Sequence, residues 1–164
     1  MAEQDPDIPE DDLVHALRGT RALVGVIAQS LTTTLEHVTL PQFRALVLLR
    51  ALGTTPAGIL AARLGVTAST GTRLVSRLVR GGWVERGGSE SDRRLISLRL
   101  TSKGTNLVDD TRRRRERALK DILRTMPDAD RAAAIDGLRR LADAAGEPPP
   151  ESLDVLAYDR PSEA

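Results

Sequence analysis

Cysteine is absent from the 164 residues, and there are three aromatic residues, Phe43, Trp83 and Tyr158. Without thiols there is no disulfide framework, no thiolate metal site and no thiol redox switch, which fits an intracellular setting. So few rings leave no stacking platform for the bases of a single strand, and Trp83, the one aromatic near the basic region, begins a strand and reads as core. No apolar run approaches the roughly 18 residues of a membrane span, and Met1-Ala-Glu-Gln-Asp-Pro-Asp lacks the apolar segment of a secretory signal. The expectation is a cytoplasmic protein. Histidine is scarce too, at His15 and His37 only. There is no Gly-x-Ser-x-Gly, no phosphate-cradling glycine loop and no His/Asp metal cluster, and Asp109 and Asp110 point to different sides of a helix. Neither an enzyme nor a cofactor is expected.

Net charge is also missing in sum, but not by region. The 24 basic and 23 acidic residues give +1. Residues 1–12 hold six acids and no base, and residues 147–164 hold five acids against Arg160, so residues 13–146 carry +11. Such asymmetry points to a polyanion partner, although acidic ends also serve as solubilising extensions.

The apolar pattern is mostly helical. Leu13, Leu17, Val24, Ile27 or Ala28, Leu31 and Leu35 recur on one helix face. Leu40-Pro-Gln-Phe opens a second helix through about Leu52, with Pro41 in the first turn, where no amide donor is needed. Thr54-Thr55-Pro56 predicts a third helix with a threonine cap, turning Ile59, Leu60 and Leu64 one way. Gly65 supplies a left-handed stop, and Thr67 caps a fourth helix reaching Arg80. The period then becomes two: Trp83–Arg86 and Leu95–Leu100 read as strands, with Ile96, Leu98 and Leu100 inward and a polar loop over residues 87–94. Thr101 opens a long helix with Val108, Leu119, Ile122, Leu123 and Met126 on its stripe, and Pro127 ends it. Asp128 is expected to cap a last helix carrying Ala132, Ile135, Leu138, Ala142 and Ala145.

Two short helices, a tight glycine turn and a hairpin make a winged helix-turn-helix, in which the second helix enters a DNA major groove. On a helical wheel Gly71, Leu74, Val75, Leu78 and Val79 share one arc, while Ser69, Thr70, Arg73, Ser76, Arg77 and Arg80 share the other. The outer arc holds guanidiniums and hydroxyls and no carboxylate, as a groove-reading face requires, because Arg donates two bonds to guanine and hydroxyls serve bases or phosphates. Thr67 places amide donors near a phosphate, and Gly71 lets the preceding helix approach. A solvated Arg/Ser face is the plainer reading of a lone helix. Here the turn before it and the +6 surplus over residues 63–103 argue for DNA. A winged helix serving only as a protein-interaction module is the alternative, and it calls for an apolar or acidic face. Arg112-Arg-Arg-Arg115 with Arg117 points in several directions and reads mainly as a solvated stretch beside Asp109, Asp110 and Glu116, with phosphate contact or a cross-dimer ion pair as the other uses.

Leu40-Pro-Gln-Phe-Arg-Ala-Leu, Leu64-Gly-Val-Thr-Ala-Ser-Thr, Leu78-Val-Arg-Gly-Gly-Trp-Val-Glu-Arg86 and Ser91-Asp-Arg-Arg-Leu-Ile-Ser-Leu-Arg-Leu-Thr-Ser-Lys-Gly104 together resemble the MarR family of bacterial transcriptional regulators. The resemblance implies a mainly α fold with a small β-hairpin wing and flanking dimerisation helices. The homodimer would bind double-stranded DNA on a pseudo-palindromic operator, as a ligand-responsive repressor. In the wing it implies that Arg94 enters the minor groove, oriented by Asp92 and accompanied by Arg93. It also implies a small phenolic or anionic effector, for which His15, Arg18, His37 and Arg44 are the polar candidates near the expected junction; each also reads as a surface or interface residue. The expected organisation is an acidic N-terminal extension (1–10), an N-terminal dimerisation helix (11–38), a winged helix DNA-binding domain (39–101), C-terminal dimerisation helices (102–146) and an acidic Pro-containing tail (147–164). A dimer also follows from the stripes themselves, because the outer helices carry apolar faces that the winged helix, with its own core, does not need.

Overall fold

In a computed structural model, residues 8–88 and 96–146 are described, with only the backbone described at Gly88 and Ile96. The elements are α1 (Glu10–Leu35), α2 (Leu40–Leu52), β1 (Thr55–Pro56), α3 (Ala57–Arg63), α4 (Ala68–Arg80), β2 (Val84–Gly88), β3 (Ile96–Leu100), α5 (Ser102–Arg124) and α6 (Asp128–Ala144). None of these helices is long and apolar enough to cross a membrane.

The core forms around α2, where Ala45 to Leu49 are all buried, the pattern of a helix enclosed on nearly every side. Phe43, Leu46 and Leu49 meet Leu60 of α3, Leu78 of α4, Val84 of β2, Leu98 of β3 and Val108 of α5 in one cluster. Its start is fixed locally: the Thr39 amide donates to Gln42 Oε1 at 2.7 Å, and Pro41 fills the first turn.

The sheet has three strands where the sequence predicted two. Its order is β1-β3-β2, antiparallel throughout, with Thr55 opposite Leu98 and Val84 opposite Leu100. Thr55 therefore does not cap α3; it is buried in an edge strand, and Pro56 takes the position before the helix. An edge suits Pro56, which has no ladder donor to offer. Ile59 is also corrected: Leu60 is buried and Leu64 half-buried, but Ile59 faces out. The first hairpin strand runs from Val84 to Gly88, two residues beyond its expected end. At α6, Asp128 makes no capping bond and pairs instead with Arg131.

The outer helices behave differently from the core. α1 runs antiparallel to α5, since Thr34 meets Thr111 while Ser30 meets Arg114. It buries Val26, Ser30, Leu31 and Thr34 there. The expected stripe is largely left uncovered: Leu13, Leu17, Val24, Ile27 and Leu35 are exposed, and so is every residue from 8 to 22. α6 buries nothing and exposes Ile135, Leu138 and Leu141.

Candidate nucleic-acid interface

Gly65 makes the turn between α3 and α4. Its φ of +65° is a conformation that side-chain-bearing residues rarely adopt. The two helices then touch closely: a Cβ on Gly71 would lie 2.7 Å from the Ala61 Cβ. Thr67 begins α4, its hydroxyl accepting from the Thr70 amide at 3.3 Å and donating to Thr70 Oγ1 at 3.0 Å, with Ser69 Oγ 3.1 Å away. Three hydroxyls thus crowd a helix N-terminus whose remaining amides point outward. Thr67→Ala is expected to cost about 1 kcal/mol of stability through the lost cap, measured as a shift in the denaturant midpoint.

The wheel holds along the rest of α4. Gly71, Val75 and Leu78 are buried and Leu74 and Val79 half-buried, while Ser69, Thr70, Arg73, Arg77 and Arg80 are exposed. Ser76 is half-buried, and the Arg86 guanidinium donates to its hydroxyl at 3.4 Å. Arg73, Arg77 and Arg80 form no ion pair among the described residues, in contrast to the surrounding bases. Arg99 is held by Glu85 at 2.8 Å across the hairpin, and Arg50 by Asp109 at 3.2 Å. Lys103 lies over the Trp83 ring and donates to the Gly81 carbonyl at 2.9 Å, closing the C-terminal end of α4. Three guanidiniums stepping along about 10 Å of axis, with no ion-paired carboxylate among the described residues, present a strong positive field to whatever faces α4. Arg86 extends that field onto the hairpin. Its role was not visible in the sequence, because its proximity to Ser76 arises only when β2 folds back beside α4.

The wing residues Asp92, Arg93 and Arg94 lie outside the described residues, as do residues 1–7 of the acidic extension and the tail at 147–164. The effector candidates do not form one site within a protomer. His15 and Arg18 sit on the exposed half of α1, Arg44 is half-buried on α2, and His37 packs near Trp83 with ring centroids 6.2 Å apart. His15 and His37 are about 30 Å apart along α1.

The arginine run on α5 is less solvated than its composition suggests. Arg112 and Arg113 are paired on the surface with Glu116 and Asp110, and the Asp110 hydrogen bond raises the Arg113 pKa. Arg114 turns inward: its Nε donates to the Ser30 carbonyl at 3.1 Å and its Nη2 to Thr34 Oγ1 at 2.8 Å. Arg115 is half-buried, which lowers its pKa, and its Nε has no hydrogen-bond partner among the described residues.

The model of the MarR family matches residues 38–96, the stretch holding α2, the helix-turn-helix and the first strand of the hairpin. A curated relative, the uncharacterized HTH-type transcriptional regulator YfiV of Bacillus subtilis, is 30% identical over 105 residues, covering 64% of this chain and 66% of YfiV. Among solved structures, RV1404 from Mycobacterium tuberculosis is 31% identical with a TM-score of 0.78, over 88% of this chain and 100% of that one. A MarR family protein from Bacillus stearothermophilus is 26% identical with a TM-score of 0.68, over 85% and 99% of the two chains.

Proposed function

Because the chain belongs to the MarR family, we propose that it is a homodimeric transcriptional repressor that binds a pseudo-palindromic duplex operator through α4. The observation that carries this reading is the face of Arg73, Arg77 and Arg80, exposed on a helix that itself has no carboxylate, beside the hydroxyls of Thr67, Ser69 and Thr70. Arg73 and Arg77 are assigned to base edges in the major groove. Arg80, Ser76 and the helix N-terminus are assigned to phosphates, which set register without reading sequence. Asp92, Arg93 and Arg94 are assigned to the wing contact in the adjacent minor groove, where a narrow groove concentrates negative potential. A small phenolic or anionic effector that releases DNA belongs to the same proposal and rests on family membership.

In this reading α1, α5 and α6 form the dimerisation region. The support is the apolar surface that a single chain leaves uncovered on α1 and α6. Two-fold symmetry would place the α4 helices about 34 Å apart, one turn of DNA. Leu17→Glu combined with Leu138→Glu is expected to give monomers in sedimentation. Duplex affinity should then fall about 100-fold or more, since the second half-site contact ceases to be intramolecular. A variant that stays dimeric and binds as before would refute the assigned interface. A wild-type chain that retains no duplex in an anisotropy titration would favour the protein-interaction alternative.

A further inference from the structure

Arg114 belongs to the densest basic run in the chain, yet its half-buried guanidinium is engaged by its own chain. Thr34, Thr111 and Ser30 are almost wholly buried at the seam of α1 and α5. Their hydrogen bonds have a fixed direction. Thr111 Oγ1 donates to the Leu107 carbonyl at 2.8 Å, so the proton between the two threonine hydroxyls, 2.6 Å apart, comes from Thr34. Both hydroxyl oxygens then accept from Arg114 Nη2, at 2.8 Å and 3.2 Å, while Arg114 Nε donates to the Ser30 carbonyl. One guanidinium thereby closes a polar cluster joining two helices.

Apolar seams tolerate sliding, whereas hydrogen bonds weaken steeply away from their preferred distance and angle. A buried polar cluster is thus suited to fixing register. Register matters at this seam because α1 buries only Val26 and Leu31 beside the two polar residues, and its N-terminal half is uncovered. From Val26 to Glu10 the helix extends about 24 Å. Tilting it by about 10° would move its tip by about 4 Å, more than the 3.4 Å rise of one base pair.

We propose that Arg114 is a positioning residue: by locking α1 to α5 through Ser30, Thr34 and Thr111 it sets the separation of the two recognition helices, and with it the half-site spacing the protein accepts. This inference rests on the dimeric DNA-binding reading above. The absence of cysteine allows a direct test, since Thr72→Cys on the exposed surface of α4 gives each protomer one spin-label site. Pulsed electron resonance on the full-length labelled protein, without DNA, reads the label separation. Arg114→Met should broaden the distance distribution at least about twofold as the lock is lost, and Arg114→Lys should recover part of the narrow distribution. Thr34→Val, which keeps the volume, should broaden it in the same direction and serves if Arg114→Met does not fold. With DNA, Arg114→Met should lose discrimination between operators differing by one base pair in spacing while keeping the wild-type salt slope.

Distributions of unchanged width in Arg114→Met and Thr34→Val would overturn the proposal and leave the dimer standing. So would a uniform loss on all duplexes with a shallower salt slope, which marks a phosphate contact. If the parent protein gave no dipolar signal at all, the dimer reading and this inference would fall together.

Discussion

Arg73→Ala and Arg77→Ala are each expected to weaken operator binding by about 1–3 kcal/mol, roughly five- to 150-fold, and to relax the sequence preference at one position of each half-site. The geometry behind this is the exposed arc of α4, where both guanidiniums stand without an ion-pair partner among the described residues. A base-contacting arginine that already held an ion pair would have to break it first, as Arg99 would have to leave Glu85. Among the described residues nothing imposes such a cost on Arg73 or Arg77. The controls are built into the same protein: Arg112→Ala and Arg113→Ala, whose side chains are paired on the surface of α5, should change operator affinity little. Anisotropy titrations against the operator and a scrambled duplex separate the outcomes. A loss equal on both duplexes, with a shallower salt dependence, would reassign the residue to phosphate.

Gly104→Ala should be the most damaging Gly→Ala substitution among the described residues. Gly104 lies in the first turn of α5, where an added Cβ would run into the backbone carbonyl of Trp83 and touch Leu100. That carbonyl cannot easily retreat. The Thr101 amide donates to it at 3.1 Å, and the Thr101 hydroxyl donates to the Gly82 carbonyl at 2.7 Å while accepting from the Gly104 amide at 3.1 Å. The end of α4, the root of the hairpin and the start of α5 are therefore pinned at one point, and the obstacle is main chain. Overpacking costs about 1–3 kcal/mol where side chains can yield; here the upper end is expected, with the melting midpoint falling by roughly 10 °C. Gly137→Ala is the counterpart. A Cβ there meets nothing, so substitution within α6 should be neutral or stabilise by up to about 1 kcal/mol.

α4 could be read from sequence nearly residue by residue, because a helix that buries one face and presents the other writes both into a 3.6-residue period. The Gly65 turn, the Thr67 cap, the helix start at Thr101 and the inward Leu98 were legible for the same reason, as each depends on neighbours in the chain. β1 was not. Two residues cannot show alternation, and Thr55 becomes a strand only through pairing with Leu98, far along the chain. Nor could the basic run on α5 be sorted into surface pairs and an inward Arg114, because Ser30 and Thr34 reach it from α1. α1 was legible in part. Its apolar period marked a face that its own chain leaves largely bare, as expected of a stripe with nothing local to bury it, but the period gave no sign of the serine and threonine that it buries and satisfies across the seam.

Selection of bound sequences from a randomised duplex library tests the central claim most directly. The account predicts enrichment of a pseudo-palindrome with half-site centres about 10 base pairs apart, and loss of that enrichment when Arg73 and Arg77 are both alanine. Recovery of no preferred sequence by the intact dimer, or of a single unrepeated half-site, would contradict it.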